Sequence, residues 1–298
     1  GSLYLKQFNY TGAKQRFTKS LTLKNEALNL IPNDKNLLID RADTLSWIAS
    51  TEVHLGNYRN ALNSYEQAEK VLNTLTSLYP NDANLLEMLA YTHSHQANLL
   101  SYLPDKQPAF FHTIKALEAE KKALKQDPKN KKFQEKYFQF LTNQTLIYAE
   151  LANISLIESI INFLHTSEKN RNITGIYVNL IRYFVKVKQL TLAEKFMDEL
   201  NRYTTSLGIE ENSGINNSIH IASIYLAQAK LAASKENNEK RKLFCHKALK
   251  SILNIAKKTN DIDILFPLLQ AYSCLDRLSE APEKIKILKE FGINNFDL

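Results

Sequence analysis

The stretch GNYRNALNSYEQAEKVLNTLTSLYPND (56–82) decides the fold, because it holds one complete helical face together with the punctuation on either side of it. Ala61, Tyr65 and Ala68 fall at i, i+4 and i+7. That spacing marks one side of a helix, and its small residues let a neighbouring helix approach closely. Upstream, Gly56 closes an apolar-periodic run, NLLIDRADTLSWIASTEVHL (36–55). Downstream, Pro80 stops the helix and leaves Asn81 or Asp82 to accept from the free N–H groups of the next one.

Sliding the sequence along itself by 48 positions repeats this pattern. Pro32, Pro80 and Pro128 are evenly spaced, LIPND (30–34) echoes LYPND (78–82), and QDPKN (126–130) is a weaker copy. Ala13, Ala61 and Ala109 coincide, as do Phe17, Tyr65 and Thr113, then Ser20, Ala68 and Ala116, then Leu37, Leu85 and Phe133. Each unit reads as helix, tight turn, helix, with the proline segment as the hinge to the next. The spacing predicts an antiparallel pair over 35–54 and 58–78, stacked on an equivalent pair within 83–126, with Trp47 and Tyr65 shielded. Only 7 Gly and 7 Pro in 298 residues favour long helices over a many-turned β architecture. The expected fold is all-α, a right-handed solenoid of stacked antiparallel hairpins.

The register is regular over 3–152 and lapses beyond, where 128 plus one period lands on Ile176. The third unit's first helix is expected over 131–152, and helices still follow one another across 153–298: a short helix over 155–165, pairs at 173–188 with 190–207 and 217–235 with 237–259, and a capping pair at 261–276 with 279–291. Ala193, Met197 and Leu200 repeat the second-helix pattern, as do Ala281, Ile285 and Leu288. Gly1 and Ser2 read as an expression-tag remnant.

GNYRNALNSYEQA (56–68) resembles the signature of the tetratricopeptide repeat family: Gly, an aromatic two residues later, Ala, then an aromatic and a second Ala on the second helix. The family unit is about 34 residues, so each helix here gains seven, about two turns and about 10 Å. The resemblance implies a concave groove lined by the first helices of the hairpins. Family groove positions carried onto this sequence are Asp43, Ser46 and Ser50, then Tyr91, Ser94, Asn98 and Tyr102, then Gln139 and Thr142. Ser46, Ser94 and Thr142 stand in register and serve equally as small residues that let helices pack. Tyr91 and Tyr102 are the expected anchors, with Asp43 and Asn98 giving direction. Chaperone-binding members of the family clamp a C-terminal carboxylate with Lys and Asn; Lys and Arg are absent from this set.

Intrinsic chemistry finds little support. His93 and His95 diverge by about 200° on a helix and cannot share a metal. Cys245 and His246 diverge by about 100°, too far for a nucleophile and its base. The sequence has no glycine-rich phosphate loop, paired-carboxylate motif or nucleophile elbow. Catalysis, a cofactor and a metal are therefore not expected. With two cysteines, Cys245 and Cys274, the chain is expected to carry buried thiols of a reducing, cytoplasmic compartment, and no apolar run approaches a membrane span. The net charge of +7 is spread along the chain. Its densest patch, Lys121, Lys122, Lys125, Lys129, Lys131, Lys132 and Lys136, reads as a solvated helical corner. The leading functional expectation is a non-catalytic protein-interaction or sensor module of a larger bacterial signalling or regulatory protein, with a peptide partner that is not strongly acidic. Alternatives are a nucleic-acid-binding repeat protein using the basic corner at 121–136, and an accessory domain of an enzyme.

Overall fold

The computed structural model describes residues 1–137, 140, 173–206 and 214–298. All regular structure among them is helical. The chain divides into two units, Gly1–Leu141 and Thr142–Leu298.

In the first unit the helices are α1 (Ser2–Lys6), α2 (Tyr10–Leu30), α3 (Lys35–Leu55), α4 (Tyr58–Leu78), α5 (Ala83–Leu100) and α6 (Gln107–Gln126). Residues 131–137 and 140 are also helical. Each helix packs on its sequence neighbours, so the chain runs up and down through α2 to α6. The alanines that set the register meet no solvent: Ala13, Ala61 and Ala109 are all fully buried, as is Ala68. Leu72, Leu75, Leu85 and Leu89 join Ala42 and Val71 in the seam among α3, α4 and α5.

Stop and cap follow the expected chemistry. Pro32, Pro80 and Pro128 all lie between helices. Asp34 then accepts from the Leu37 N–H at 2.8 Å. Asp82 accepts from Asn84 and Leu85 at 3.1 and 3.2 Å, and Asn130 accepts from Lys132 and Phe133 at 3.1 and 3.4 Å. Each side chain satisfies N–H groups that a helix start leaves without intrahelical partners.

The second unit contains α7 (Ile173–Lys186), α8 (Leu190–Ser206), α9 (Gly214–Ser234), α10 (Asn238–Ala256), α11 (Ile262–Cys274), a 3₁₀ turn (Leu278–Glu280) and α12 (Pro282–Phe291). The first helices of its hairpins, α7, α9 and α11, also pack on one another. Ala193 and Leu200 are fully buried, and Met197, Ala281 and Leu288 are buried too. Beyond α12 the chain turns back onto α11, where the Gln270 amide donates to the Asp297 carbonyl at 3.0 Å. Pro267 lies inside α11. The expected short helix at 155–165 and most of the helix at 131–152 lie outside the described residues.

One device is repeated in both units. The turn between the helices of a hairpin places one residue at positive φ: Phe8, Gly56, Lys188, Glu236 and Asp276. In each case the next N–H reaches back to the last turn of the first helix, as in Asn57 to Glu52 at 2.8 Å, Gln189 to Phe184 at 2.8 Å and Asn237 to Ala232 at 3.0 Å. Phe8 and Gly56 are 48 positions apart, and so are Lys188 and Glu236. The period that lapses in the sequence thus returns in the turns. At the equivalent place after α5 stands Pro104, whose ring cannot take positive φ. There α5 ends at Leu100 and a wider loop leads to α6.

The cysteines require a correction. Cys245 on α10 and Cys274 at the end of α11 form a disulfide, with Cα atoms 6.2 Å apart. Antiparallel packing of α10 on α11 brings together two residues 29 positions apart, at a separation a disulfide spans. They are not free thiols, and the cysteine count gives no argument for a reducing compartment. Among the described residues, no helix is long and apolar enough to cross a membrane.

Candidate functional site

The face of α3 that carries Asp43, Ser46 and Ser50 also carries Trp47, and Phe17 of α2 stacks on that indole with centroids 5.9 Å apart and planes 12° apart. One period later Tyr65 of α4 stacks on His95 of α5 at 5.4 Å and 8°. The same contact is therefore made twice, by residues in 48-residue register. A ring on the second helix of one hairpin supports a ring on the first helix of the next. The supporting Tyr65 is buried, whereas His95 is exposed and Trp47 is 41% exposed. Trp47 was expected to be shielded; Leu45 and Ile48 beside it enter the core, while position 47 projects off the seam with Phe17 covering one face of the indole.

Around these rings lie the residues carried over from the family pattern. Asp43 is exposed; partial desolvation pushes its carboxyl above the usual carboxylate range, against a hydrogen bond from Trp47 and the charge of Lys24. The Ser46 hydroxyl donates to the Ala42 carbonyl at 3.1 Å, which spends its donor within the helix. Ser50, Ser94, Asn98 and Tyr102 are half-buried. Tyr91 is half-buried between His95 at 6.1 Å and Phe140 at 6.1 Å, with the Lys136 ammonium 4.5 Å from its ring centroid. Gln139 and Thr142 lie outside the described residues. The structure thus groups Asp43, Ser46 and Ser50 on α3 with Trp47, and Tyr91, Ser94 and Asn98 on α5 with His95. Trp47 and His95 were missing from the sequence-derived set, although each lies four residues after a chosen position.

The basic corner is solvated: Lys121, Lys122, Lys125, Lys129, Lys131 and Lys132 are exposed. Lys132 bridges to Glu87 at 2.8 Å, and that partner raises its ammonium pKa. A half-open groove of about 490 Å³ runs beside this corner, with Lys115, Lys122 and Lys125 on one wall and Asn73, Asn81 and His93 among its other lining residues. Beneath lies Glu120, fully buried with neither carboxylate oxygen hydrogen-bonded. Desolvation, then the nearby Glu87 charge, push its carboxyl up to about 7.

His93 and His95 do point apart, as expected. His93 is buried and faces α6, where its Nδ1 lies 3.0 Å from Nδ1 of His112. Glu69 of α4 approaches the same nitrogen of His93 at 3.8 Å. Burial holds the His93 imidazole down at about 4, against the pull of Glu69, and lowers that of His112 as well. The sequence signal for this cluster is the register itself. One period earlier its three places are Leu21, Leu45 and Ser64.

No family model matches the chain, and no curated protein matches it. Among solved structures, BtubC (BKLC) from P. vanneervenii aligns at 16% identity over 95% of this chain and 90% of that one, with a TM-score of 0.32. The human IFIT1 dimer with m7Gppp-AAAA aligns at 14% identity over 94% of this chain and 67% of that one, with a TM-score of 0.44. At these scores neither alignment fixes a shared core. The class, an all-α helical-repeat protein, follows from the chain's own paired helices.

Proposed function

We propose that the chain is a non-catalytic binding module of the tetratricopeptide-repeat kind, which holds a segment of a partner protein against the exposed rings of α3 and α5. The observation that carries this reading is the repeated stack, Phe17 on Trp47 and Tyr65 on His95. It braces a ring from beneath and leaves it exposed in two successive hairpins, an indole at Trp47 and an imidazole at His95. A braced, partly exposed aromatic is the kind of group that dominates peptide interfaces, because it brings large area at little entropic cost. Asp43 beside Trp47 favours a basic or amide-bearing segment over a strongly acidic one.

A peptide library panned against the purified chain tests the proposal. Replacing Trp47 and Tyr91 together by Ala should weaken the recovered peptides at least about tenfold, roughly 1.4 kcal/mol, with the melting temperature nearly unchanged. Full retention of affinity in that variant would remove the site from this face. A second reading rests on the groove beside the basic corner, where Lys115, Lys122 and Lys125 converge: an anionic chain such as single-stranded nucleic acid would lie there. Loss of binding on neutralising those lysines, with Trp47 and Tyr91 indifferent, would favour it.

A further inference from the structure

Three side chains from three different helices meet at the α4–α5–α6 junction. Glu69 is partly exposed, His93 is buried and His112 is half-buried, and one ligand atom from each lies within 4.8 Å of the other two. In the preceding period the same places hold Leu21, Leu45 and Ser64, and Leu45 is buried in the ordinary apolar seam. One repeat therefore exchanges two leucines and a serine for a carboxylate and two imidazoles that converge on one another. Packing alone does not require this at the buried place, since Leu45 fills the position of His93 one hairpin earlier.

We propose that Glu69, His93 and His112 form a binding site for a divalent transition metal of the zinc class, which ties α4, α5 and α6 together. Zinc takes nitrogen and oxygen ligands at about 2.0–2.1 Å, so tetrahedral ligand atoms stand about 3.3 Å from one another. The two imidazole nitrogens are 3.0 Å apart and the Glu69 oxygen is 3.8 Å from His93. The Glu69 and His112 ligand atoms lie within 4.8 Å of each other, so changes of about 1.5 Å or less bring all three separations to that geometry. Glu69 and His112 are each partly accessible to solvent, so an ion could reach the cluster from outside. One outer group supports the arrangement: the Asn73 amide lies 3.5 Å from the other oxygen of Glu69. The Lys115 charge near His93 opposes a metal, and its ammonium is partnered by Glu118 at 3.2 Å.

The spacing explains why the site escapes a search for metal motifs. The ligands stand at 69, 93 and 112, so no two share a helix turn, and only the stacking of consecutive helices joins them.

The test uses the full chain, freed of any affinity tag, with Co²⁺ and Zn²⁺ as probes. About one equivalent of Co²⁺ should bind with the visible absorption of a four- or five-coordinate nitrogen and oxygen site, and Zn²⁺ should displace it. Zn²⁺ should also raise the melting temperature. His112→Gln and Glu69→Gln sit at partly accessible positions and keep hydrogen-bonding side chains, so both should retain native helicity. Each should lower metal affinity by about tenfold or more and abolish the thermal shift. A chain that binds neither ion, or one whose affinity is unchanged in both variants, overturns the proposal and leaves a hydrogen-bonded histidine pair beside a carboxylate.

Discussion

Lys188 and Glu236 hold left-handed backbone in the second unit's turns, at φ 60° and 57°, where an L side chain crowds its own carbonyl. Residues held there cost on the order of 1 kcal/mol or more, tolerated because the hairpin closes around them. Gly56 occupies the same place in the first unit at φ 84° without that crowding. Both side chains are exposed, so Lys188→Gly or Glu236→Gly removes strain and no packing. Each should gain about 0.5–1 kcal/mol in urea unfolding, net of the glycine entropy of the unfolded chain. A loss in both would show that the turns are not strained. Glu120 gives a prediction of opposite character. Its folded-state value of about 7 stands above the ordinary 4.5, so the folded protein holds the proton more tightly than the unfolded chain does. The stability this contributes is fully present below about 4.5 and is lost as pH rises through about 7. Glu87, Lys132 and Lys136 are the charges that face it. Glu120→Gln, neutral at every pH, should therefore stabilise the chain at pH 8 by about 1–3 kcal/mol and change little at pH 5. An equal effect at both values would mean that Glu120 ionises normally.

At the level of elements, what the sequence discloses and what it hides divide along one line. Features set within one helix or one turn were readable: the buried alanines at 13, 61 and 109, the stops at Pro32, Pro80 and Pro128, and the helices of the second unit's hairpins follow from local periodicity and stop signals. Asp43 and Tyr91, carried over from the family resemblance, stand one period apart, and each lies four residues before an exposed ring of the repeated stack. Trp47 was misjudged because a shift of one residue on a helix turns a side chain by about 100°, enough to move it from core to surface. Contacts between residues that share no helix were not readable: the Cys245–Cys274 bridge and the convergence of Glu69, His93 and His112 depend on the offset between adjacent helices, which periodicity leaves free. The bridge is consequential. Closing a loop of 29 residues removes unfolded-chain entropy worth about 3.6 kcal/mol. Both sulfurs are buried in a cluster with Ala229, so reductant reaches them only when α10 and α11 part. Incubation with dithiothreitol should lower the melting temperature of the native chain and leave that of a Cys245→Ala, Cys274→Ala double variant unmoved. Identical melting with and without reductant would show the thiols unpaired in solution.

For the molecule as a whole, the two readings of its function make opposite demands on salt. The chain carries a net charge of +7, and its exposed lysines cluster beside the groove at α5 and α6. A ligand held there by phosphate contacts releases counterions, so its affinity would fall with a log–log slope of about −0.7 per neutralised phosphate for a single strand. A peptide held on Trp47, Tyr91 and His95 is bound chiefly by desolvated apolar area, and screening touches only the Asp43 contribution. Nearby exposed charges interact across a Debye length of about 10 Å at 0.1 M salt, which limits even that. Raising salt from about 0.05 to 0.5 M should therefore change peptide affinity by less than about threefold, little more than half a kcal/mol. Replacing Asp43 by Asn should remove most of the residual slope while preserving the bulk of the affinity, because the rings remain braced by Phe17 and Tyr65. A steep salt dependence that survives Asp43→Asn and disappears on neutralising Lys115, Lys122 and Lys125 would transfer the binding surface from the stacked rings to the basic groove.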